Sequence, residues 1–312
     1  MPIQYATLID AKTTVTHFGG EPDSVVHLGN FSNSVFSFND WDGLKRILRF
    51  TDARHRTLTE VIGELEFLQH LQKQNVPACA PVLFPNGSLT IQYAQDSSLI
   101  GTLLTFVPGV YVDESSAAWR GTLFSEWGRN LALIHSASRP YDSNPRKRWI
   151  WNKEDIFVSA DVLIPANDIQ SRKELDFVLN ACMGVKTSGQ SFGMIHADHA
   201  PQNFNFEPAT GTITAFDFAN CCYHWFLADL AISLSTVRRQ ANRQEIRDDI
   251  LSGYGQVEGI PENAEEQIDL FIRLRVLYVY LHRLNLFGQS PDEAQRATLS
   301  LIRQRVHERK GW

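Results

Sequence analysis

Three residues stand in a spacing that suits phosphoryl transfer. Asp198 lies in His196-Ala197-Asp198-His199-Ala200-Pro201-Gln202-Asn203, Asn203 follows five residues later, and Asp217 comes fourteen beyond that in Thr214-Ala215-Phe216-Asp217-Phe218. Such a reaction asks little covalent chemistry of the protein; it needs an acceptor oxygen in line with the γ-phosphate and charge balanced on the phosphate oxygens. Mg2+ prefers hard oxygen ligands and commonly takes only one or two from protein, a requirement that Asn203 and Asp217 fit. Asp198 is then the base that engages the attacking hydroxyl.

A second reading takes His196, Asp198 and His199 as ligands of a transition metal in a hydrolase, but it leaves Asn203 and Asp217 unexplained. Residues 212–218 alternate as a strand does and end in Asp217 between phenylalanines, where an acid is costly to bury without a cation or donors.

The segment resembles the superfamily of aminoglycoside phosphotransferases and choline kinases, relatives of protein kinases that phosphorylate small molecules. Its usual loop is H-G-D-x-x-x-x-N, then a strand ending I-D-F-D, then an acidic-Leu-Ala helix start, here Ala228-Asp229-Leu230-Ala231. Phe216-Asp217-Phe218 with the following Cys-Cys-Tyr-His-Trp-Phe is also similar to the branch that holds bacterial stress-response kinases and the "phosphotransferase enzyme family". The resemblance implies an α+β, bilobal protein-kinase-like fold. A small β-rich N-lobe is expected over residues 1–107 and a larger, mainly helical C-lobe over 108–312, with ATP and Mg2+ in the cleft. Two departures stand out: Ala197 replaces the loop glycine, which strains the backbone if φ must be positive, and Asn220 stands where many relatives carry another acid.

Composition agrees with that class. The 312 residues are 43% hydrophobic and 21% charged, ordinary for a globular protein large enough for two subdomains. A formal net charge of −6 argues against a nucleic-acid partner. No apolar run approaches the ~20 residues of a membrane span, and Met1-Pro2-Ile3-Gln4-Tyr5 lacks a basic leader, so a cytoplasmic protein without a membrane partner is expected. The four cysteines, Cys79, Cys182, Cys221 and Cys222, have no metal-ligand spacing and read as reduced, buried side chains, the last two as walls of the site.

These groups need elements to hold them. Val25 to Leu28, Val35 to Phe38 and Leu44 to Phe50 read as strands, the last two joined by Asn39-Asp40-Trp41-Asp42-Gly43 as a hairpin. The resemblance makes the turn containing Gly29 and Asn33 the one that covers the ATP phosphates with backbone N–H groups. By itself this stretch reads more readily as an ordinary turn. The resemblance also puts Arg49 where protein kinases carry a phosphate-binding lysine, a workable exchange because arginine grips phosphate bidentately. Leu58, Val61, Ile62, Leu65, Leu68 and Leu71 mark a helix whose Glu64 is expected to pair with Arg49, with Glu60 and Glu66 as rivals. The resemblance makes Thr105, Phe106 and Val107, just before Pro108-Gly109, the hinge whose backbone is expected to meet adenine.

The second half reads mainly helical. Trp119, Leu123, Trp127, Leu131 and Ile134 mark one helix ending at His135, a packing residue. Further helices are expected around Ile246–Tyr254 and Ile268–Tyr280, and a last one after Ser290-Pro291. His224 and Trp225 follow the metal strand and are candidates to line the acceptor pocket, where rings suit a cation; Trp225 serves equally as core. Arg146-Lys147-Arg148 reads as a solvated run. The leading function is an ATP- and Mg2+-dependent phosphotransferase acting on a hydroxyl group of a small molecule: an antibiotic, amino alcohol, sugar or hydroxy amino acid. A Ser/Thr protein kinase of the stress-response type and a nucleotide-binding regulatory pseudokinase are the alternatives.

Overall fold

Alternating apolar residues in the first hundred positions build one antiparallel sheet. The computed structural model describes residues 3–30, 32–92, 98–143 and 145–312. Strands β1 (Val26–Asn30), β2 (Asn33–Asn39), β3 (Lys45–Asp52), β4 (Pro81–Val82), β5 (Thr90–Gln92) and β6 (Leu99–Thr105) run in the order β1-β2-β3-β6-β4, with β5 also on β6. The β2–β3 register sets Val35 opposite Arg49, so the sheet fixes where the guanidinium starts. Helix α1 (Leu8–Phe18), closed by a Thr7–Asp10 capping box, buries Ala11 and Val15 with Phe36, Phe38, Leu48 and Phe50 of the sheet. Helix α2 (Leu58–Lys73) begins at Thr57, whose box with Glu60 occupies one of the two rival acids, and buries Val61, Leu65, Leu68 and Leu71.

Four short strands follow later in the chain: β7 (Phe192–Ile195), β8 (Phe204–Glu207), β9 (Thr212–Ala215) and β10 (Cys222–Trp225). β8 pairs β9 and β7 pairs β10, both antiparallel. The remaining helices are α3 (Thr122–Ser138), α4 (Asp155–Val158), α5 (Ala160–Leu163), α6 (Ile169–Gly184), α7 (Phe226–Val237), α8 (Arg243–Gly255), α9 (Ala264–Phe287) and α10 (Glu293–Glu308). Trp119, which periodicity assigns to the first of these, precedes it and donates its indole N–H to Gln240 Oε1 at 2.9 Å.

The chain divides into two compact units that do not follow one boundary. The first takes Met1–Tyr111, Tyr141–Arg148 and Phe204–Ala219; the second takes Val112–Pro140, Trp149–Asn203 and Asn220–Trp312. Backbone pairing explains why the β8–β9 hairpin belongs to the sheet-bearing unit. Cys79 N–H donates to Ala215 O at 2.7 Å, Ala215 N–H to Pro77 O at 3.1 Å, and Val110 and Phe206 exchange both bonds at 2.8 and 3.0 Å. Among the described residues no helix is long and apolar enough to cross a membrane.

In the second unit α3 and α8 cross with their backbones in contact. A Cβ on Gly128 would lie 1.9 Å from the Ile250 carbonyl oxygen, and one on Gly253 1.7 Å from that of Ser125. Backbone cannot yield as a flexible side chain would, so overpacking here moves a whole helix. Gly253→Ala is expected to lower stability by about 1–3 kcal/mol in chemical denaturation, whereas Gly255→Ala, which would meet nothing closer than Ile260 at 4.0 Å, should change it little; equal effects would contradict the packing account.

Candidate active site

The loop bearing Asp198 hangs on one buried acid in the second unit. Asp229, in the first turn of α7 and fully buried, accepts the His196 N–H at 2.8 Å and the Ala197 N–H at 3.0 Å. His135 Nε2 meets the same carboxylate at 3.2 Å, and its Nδ1 meets the Tyr254 hydroxyl at 3.0 Å. Burial alone would raise the Asp229 pKa; the hydrogen bond and charge of His135, with His196 and His199 nearby, hold it below the ordinary carboxylate value. His135 is therefore structural, and what it supports is the anchor of the loop that bears Asp198.

Ala197 pays for this tether with φ of 65°, in the left-handed region where relatives of the H-G-D pattern place glycine. Asp198 N–H donates to His196 Nδ1 at 3.2 Å. Asn203 Nδ2 donates to Asp198 O at 2.8 Å and to its Oδ2 at 3.0 Å. Arg275 of α9 donates to Asp198 Oδ1 at 2.6 Å.

His199 cannot be a metal ligand. The indole of Trp127 only donates, so its 2.9 Å contact fixes His199 Nδ1 as acceptor, and Nε2–H then donates to Asn130 Oδ1 at 2.9 Å. No lone pair remains for a cation. Burial, with His196 adding to it, pushes the His199 pKa down to about 3, in keeping with a neutral ring. The transition-metal reading is thereby set aside.

The first unit holds the other polar groups. Arg49 and Glu64 form a bidentate pair at 2.7 and 2.9 Å, 3% and 2% exposed, so Glu64 is the partner and Glu60 and Glu66 are not. Burial opposes the Arg49 charge, but Glu64 and then Asp217 more than offset it and raise its pKa. Two of its five N–H groups go to Glu64, and the buried Nε–H has no partner among the described residues. An unspent buried donor on a cation suits an anion. Asp217 is exposed, with φ of 61°, because β9 stops at Ala215, two residues before it; the expected continuous strand to Phe218 is not formed. Its backbone N–H meets the sulfur of Cys79, a thiol that burial pushes up to about 12 and so keeps protonated.

Other expected residues fall as follows. Gly29 sits in β1 beside a register shift, and Asn33 begins β2 with its Oδ1 accepting from Thr51 Oγ1 at 2.7 Å. Thr105 closes β6 and is tied to Ala80 through both N–H and Oγ1, at 2.9 Å each. Val107 O accepts from Asn205 Nδ2 at 3.1 Å, and Phe106 is 38% exposed beneath the Lys45 ammonium, 4.3 Å from the ring centre. Arg148 corrects the reading of a solvated run: it is 4% exposed and donates to Glu60 O at 3.1 Å and Ala219 O at 2.6 Å. It joins the helix of Glu64 to the segment after Asp217.

The second unit also contains a pocket of about 40 Å³, walled by Trp151, Glu154, Phe157, His224, Arg275 and Tyr278, with Ala197 and Cys222 at its side. Trp225 N–H donates to His224 Nδ1 at 2.9 Å, so the neutral ring carries its proton on Nε2; burial pushes its pKa down to about 3. Trp225 is 3% exposed, donates to Lys186 O at 3.2 Å and packs behind the wall against Trp151 and Phe271. Arg275 escaped the sequence reading because it lies 77 residues from Asp198 with no motif around it; only its place on the expected helix near Ile272 and Val276 was legible.

A sheet-bearing unit, a helical unit and the spacing of Asp198, Asn203 and Asp217 are features shared by the kinase-like phosphotransferases. The chain belongs to the phosphotransferase enzyme family, whose model matches residues 25–268, within the superfamily of aminoglycoside phosphotransferases and choline kinases. It is similar to the amicoumacin kinase of Bacillus subtilis strain 168, with 29% identity over 294 residues, 88% of this chain and 86% of that protein. In fold it resembles an amicoumacin kinase solved with AMP-PNP, Ca2+ and Ami, at a TM-score of 0.89 and 24% identity, covering 97% of this chain and 94% of that one. A microcompartment-associated aminopropanol kinase has the same fold at a TM-score of 0.80 and 19% identity, covering 96% and 95%.

Two outcomes follow from the loop. Ala197→Gly removes the left-handed strain, against some added freedom of the unfolded chain, and should raise stability by about 1 kcal/mol in denaturant melts; a destabilised variant would contradict the strain. His199 and His224 refuse a proton in the folded state that the unfolded chain accepts near pH 6.5, so their stabilisation is complete above 6.5 and drains away as pH falls toward about 3. The denaturation midpoint should therefore drop between pH 7.5 and 5, and His224→Gln should flatten that slope; a flat wild-type profile would refute it.

Proposed function

We propose that this chain transfers the γ-phosphoryl group of ATP, with Mg2+, to a hydroxyl group of a small molecule. The observation that carries this reading is the Asp198 carboxylate, oriented by Asn203 Nδ2 and Arg275 beside a pocket that Ala197 and Arg275 help to wall. Mg2+ and ATP supply the phosphoryl donor and the neutralisation of its charge when bound. Asn203 Oδ1 and Asp217 would hold the ion, both being hard oxygen donors of the kind Mg2+ prefers. Arg49, kept in place by Glu64, would bind the nucleotide phosphates with its unspent N–H groups. Gly29, paired within β1, and Asn33, which opens β2, are strand residues and would offer backbone N–H groups to the same phosphates from the strand ends. Thr105, Phe106 and Val107 would form the adenine edge; since Asn205 occupies the Val107 carbonyl, the Phe106 carbonyl and Val107 N–H are its polar groups.

Asp198 holds the acceptor hydroxyl and takes its proton on a carboxylate oxygen. Its Oδ2 is steadied by Asn203, which leaves Oδ1, now on Arg275, as the atom that exchanges partners when acceptor enters. The relatives named amicoumacin kinase and aminopropanol kinase support a small-molecule acceptor over a protein one. Localisation in the cytoplasm accords with this reading, in which residues 1–107 would begin the N-lobe and 108–312 would supply the C-lobe together with the later stretches of the sheet-bearing unit.

Asp198→Ala should lower transfer of label from γ-labelled ATP at least about a thousandfold while Mg2+–ATP affinity, read by calorimetry, stays within a few-fold. Activity persisting in the variant would remove Asp198 from the catalytic role.

A further inference from the structure

The pocket beside Asp198 has a charge pattern that restricts what can enter it. Its charged wall residues are one acid, Glu154, and one cation, Arg275; His224 is neutral, as its contact with Trp225 N–H requires. Tyr278 links the two charges. Its hydroxyl donates to Glu154 Oε1 at 3.3 Å, and its ring lies under the Arg275 guanidinium, 5.1 Å from the centroid. Trp151 and Phe157 supply further ring faces. A volume of about 40 Å³ takes only a few water-sized groups, so a compact portion of an acceptor is read here.

The donors outnumber what the protein uses. Arg275 spends one of its five N–H groups, on Asp198, and has no other hydrogen-bond partner among the described residues. His224 has its Nε2–H unspent on a ring of the same wall. A polycation meets the guanidinium at the place where its hydroxyl must approach Asp198, and like charges at such range repel. A carboxylate or carboxamide oxygen meets two donors instead, and an ammonium beside it meets Glu154 and aromatic faces.

Resting on the phosphotransferase reading, we propose that the acceptor is a hydroxy amino acid or its amide. Its ammonium sits at Glu154, its carboxyl-derived oxygen sits at Arg275 and His224, and Arg275 is the residue that selects it over amino alcohols and polycationic aminoglycosides. Capture of that oxygen by Arg275 frees Asp198 Oδ1 for the hydroxyl, which couples recognition to the state of the base. Arg275 is a specificity residue that also positions Asp198 before the acceptor arrives.

The test uses matched series: L-threonine, L-threonine amide and 1-amino-2-propanol; L-homoserine, its amide and 3-amino-1-propanol; and kanamycin as the polycation. With the full-length protein and Mg2+–ATP, kcat/KM for the acid or amide in at least one series should exceed that of its amino alcohol about tenfold or more, and kanamycin should be the poorest. Arg275→Gln should collapse that ratio toward one, chiefly through KM of the acid or amide, and Arg275→Lys should restore part of it. Glu154→Gln should weaken all members of a series alike. Calorimetric binding of the same compounds to Asp198→Ala protein reads recognition without transfer. Amino alcohol or kanamycin as the best acceptor, a ratio unmoved in Arg275→Gln, or no binding of any acid or amide overturns the proposal. Absence of ATP-dependent transfer to every acceptor, with acid or amide binding intact and sensitive to Arg275, would instead overturn the phosphotransferase reading.

Discussion

A buried carboxylate organises the loop that bears Asp198. Asp229 has no solvent to stabilise its charge, so its stability depends on donors, and two of those donors are the backbone N–H groups of His196 and Ala197. An unmade bond to a buried anion is expensive, which makes the loop conformation close to obligatory once α7 has folded. The same demand explains the left-handed Ala197, because a relaxed backbone there would withdraw an N–H from the acid. Trp127, Asn130 and Ser233 extend the restraint to His199, binding its two ring nitrogens and its carbonyl. Asp198, lying between these fixed residues, inherits its position from them.

Two arginine–carboxylate pairs then use one chemistry for opposite ends. Arg49 and Glu64 meet through two parallel bonds with side chains 4% and 3% exposed, a geometry that resists exchange. Arg275 and Asp198 meet through one bond with side chains 19% and 21% exposed, so water or another anion can replace either partner at modest cost. The first pair is sealed from solvent; the second is a contact that solvent reaches.

Elements with strong periodicity were legible from the sequence alone. The apolar stripe from Leu58 to Leu71 is α2, Glu64 lies on it as expected, and the strands around Arg49 fall within a residue or two of where alternation puts them. Helix α1 was not read, since its buried face is only Ala11, Thr14 and Val15, too small a stripe to stand out. Long-range partners were the other blind spot: Arg148 reaches Glu60 and Ala219 across 88 and 71 residues, distances over which no local pattern carries information. Strand alternation does separate His224 from Trp225, because successive residues of β10 face opposite ways and Cys222 and His224 share the pocket side.

The threading of the sheet-bearing unit has a consequence for how such a protein can be divided. Its last two pieces, Tyr141–Arg148 and Phe204–Ala219, arrive after long excursions, yet Phe67 packs on both Tyr141 and Phe218, and Cys79 and Val110 take backbone partners from the hairpin. A fragment ending near Tyr111 would expose those rings and strand edges. The sheet-bearing unit is thus not a cassette: recombination that swaps the first third of the gene would have to carry two distant stretches with it, which favours inheritance of the whole chain as one piece.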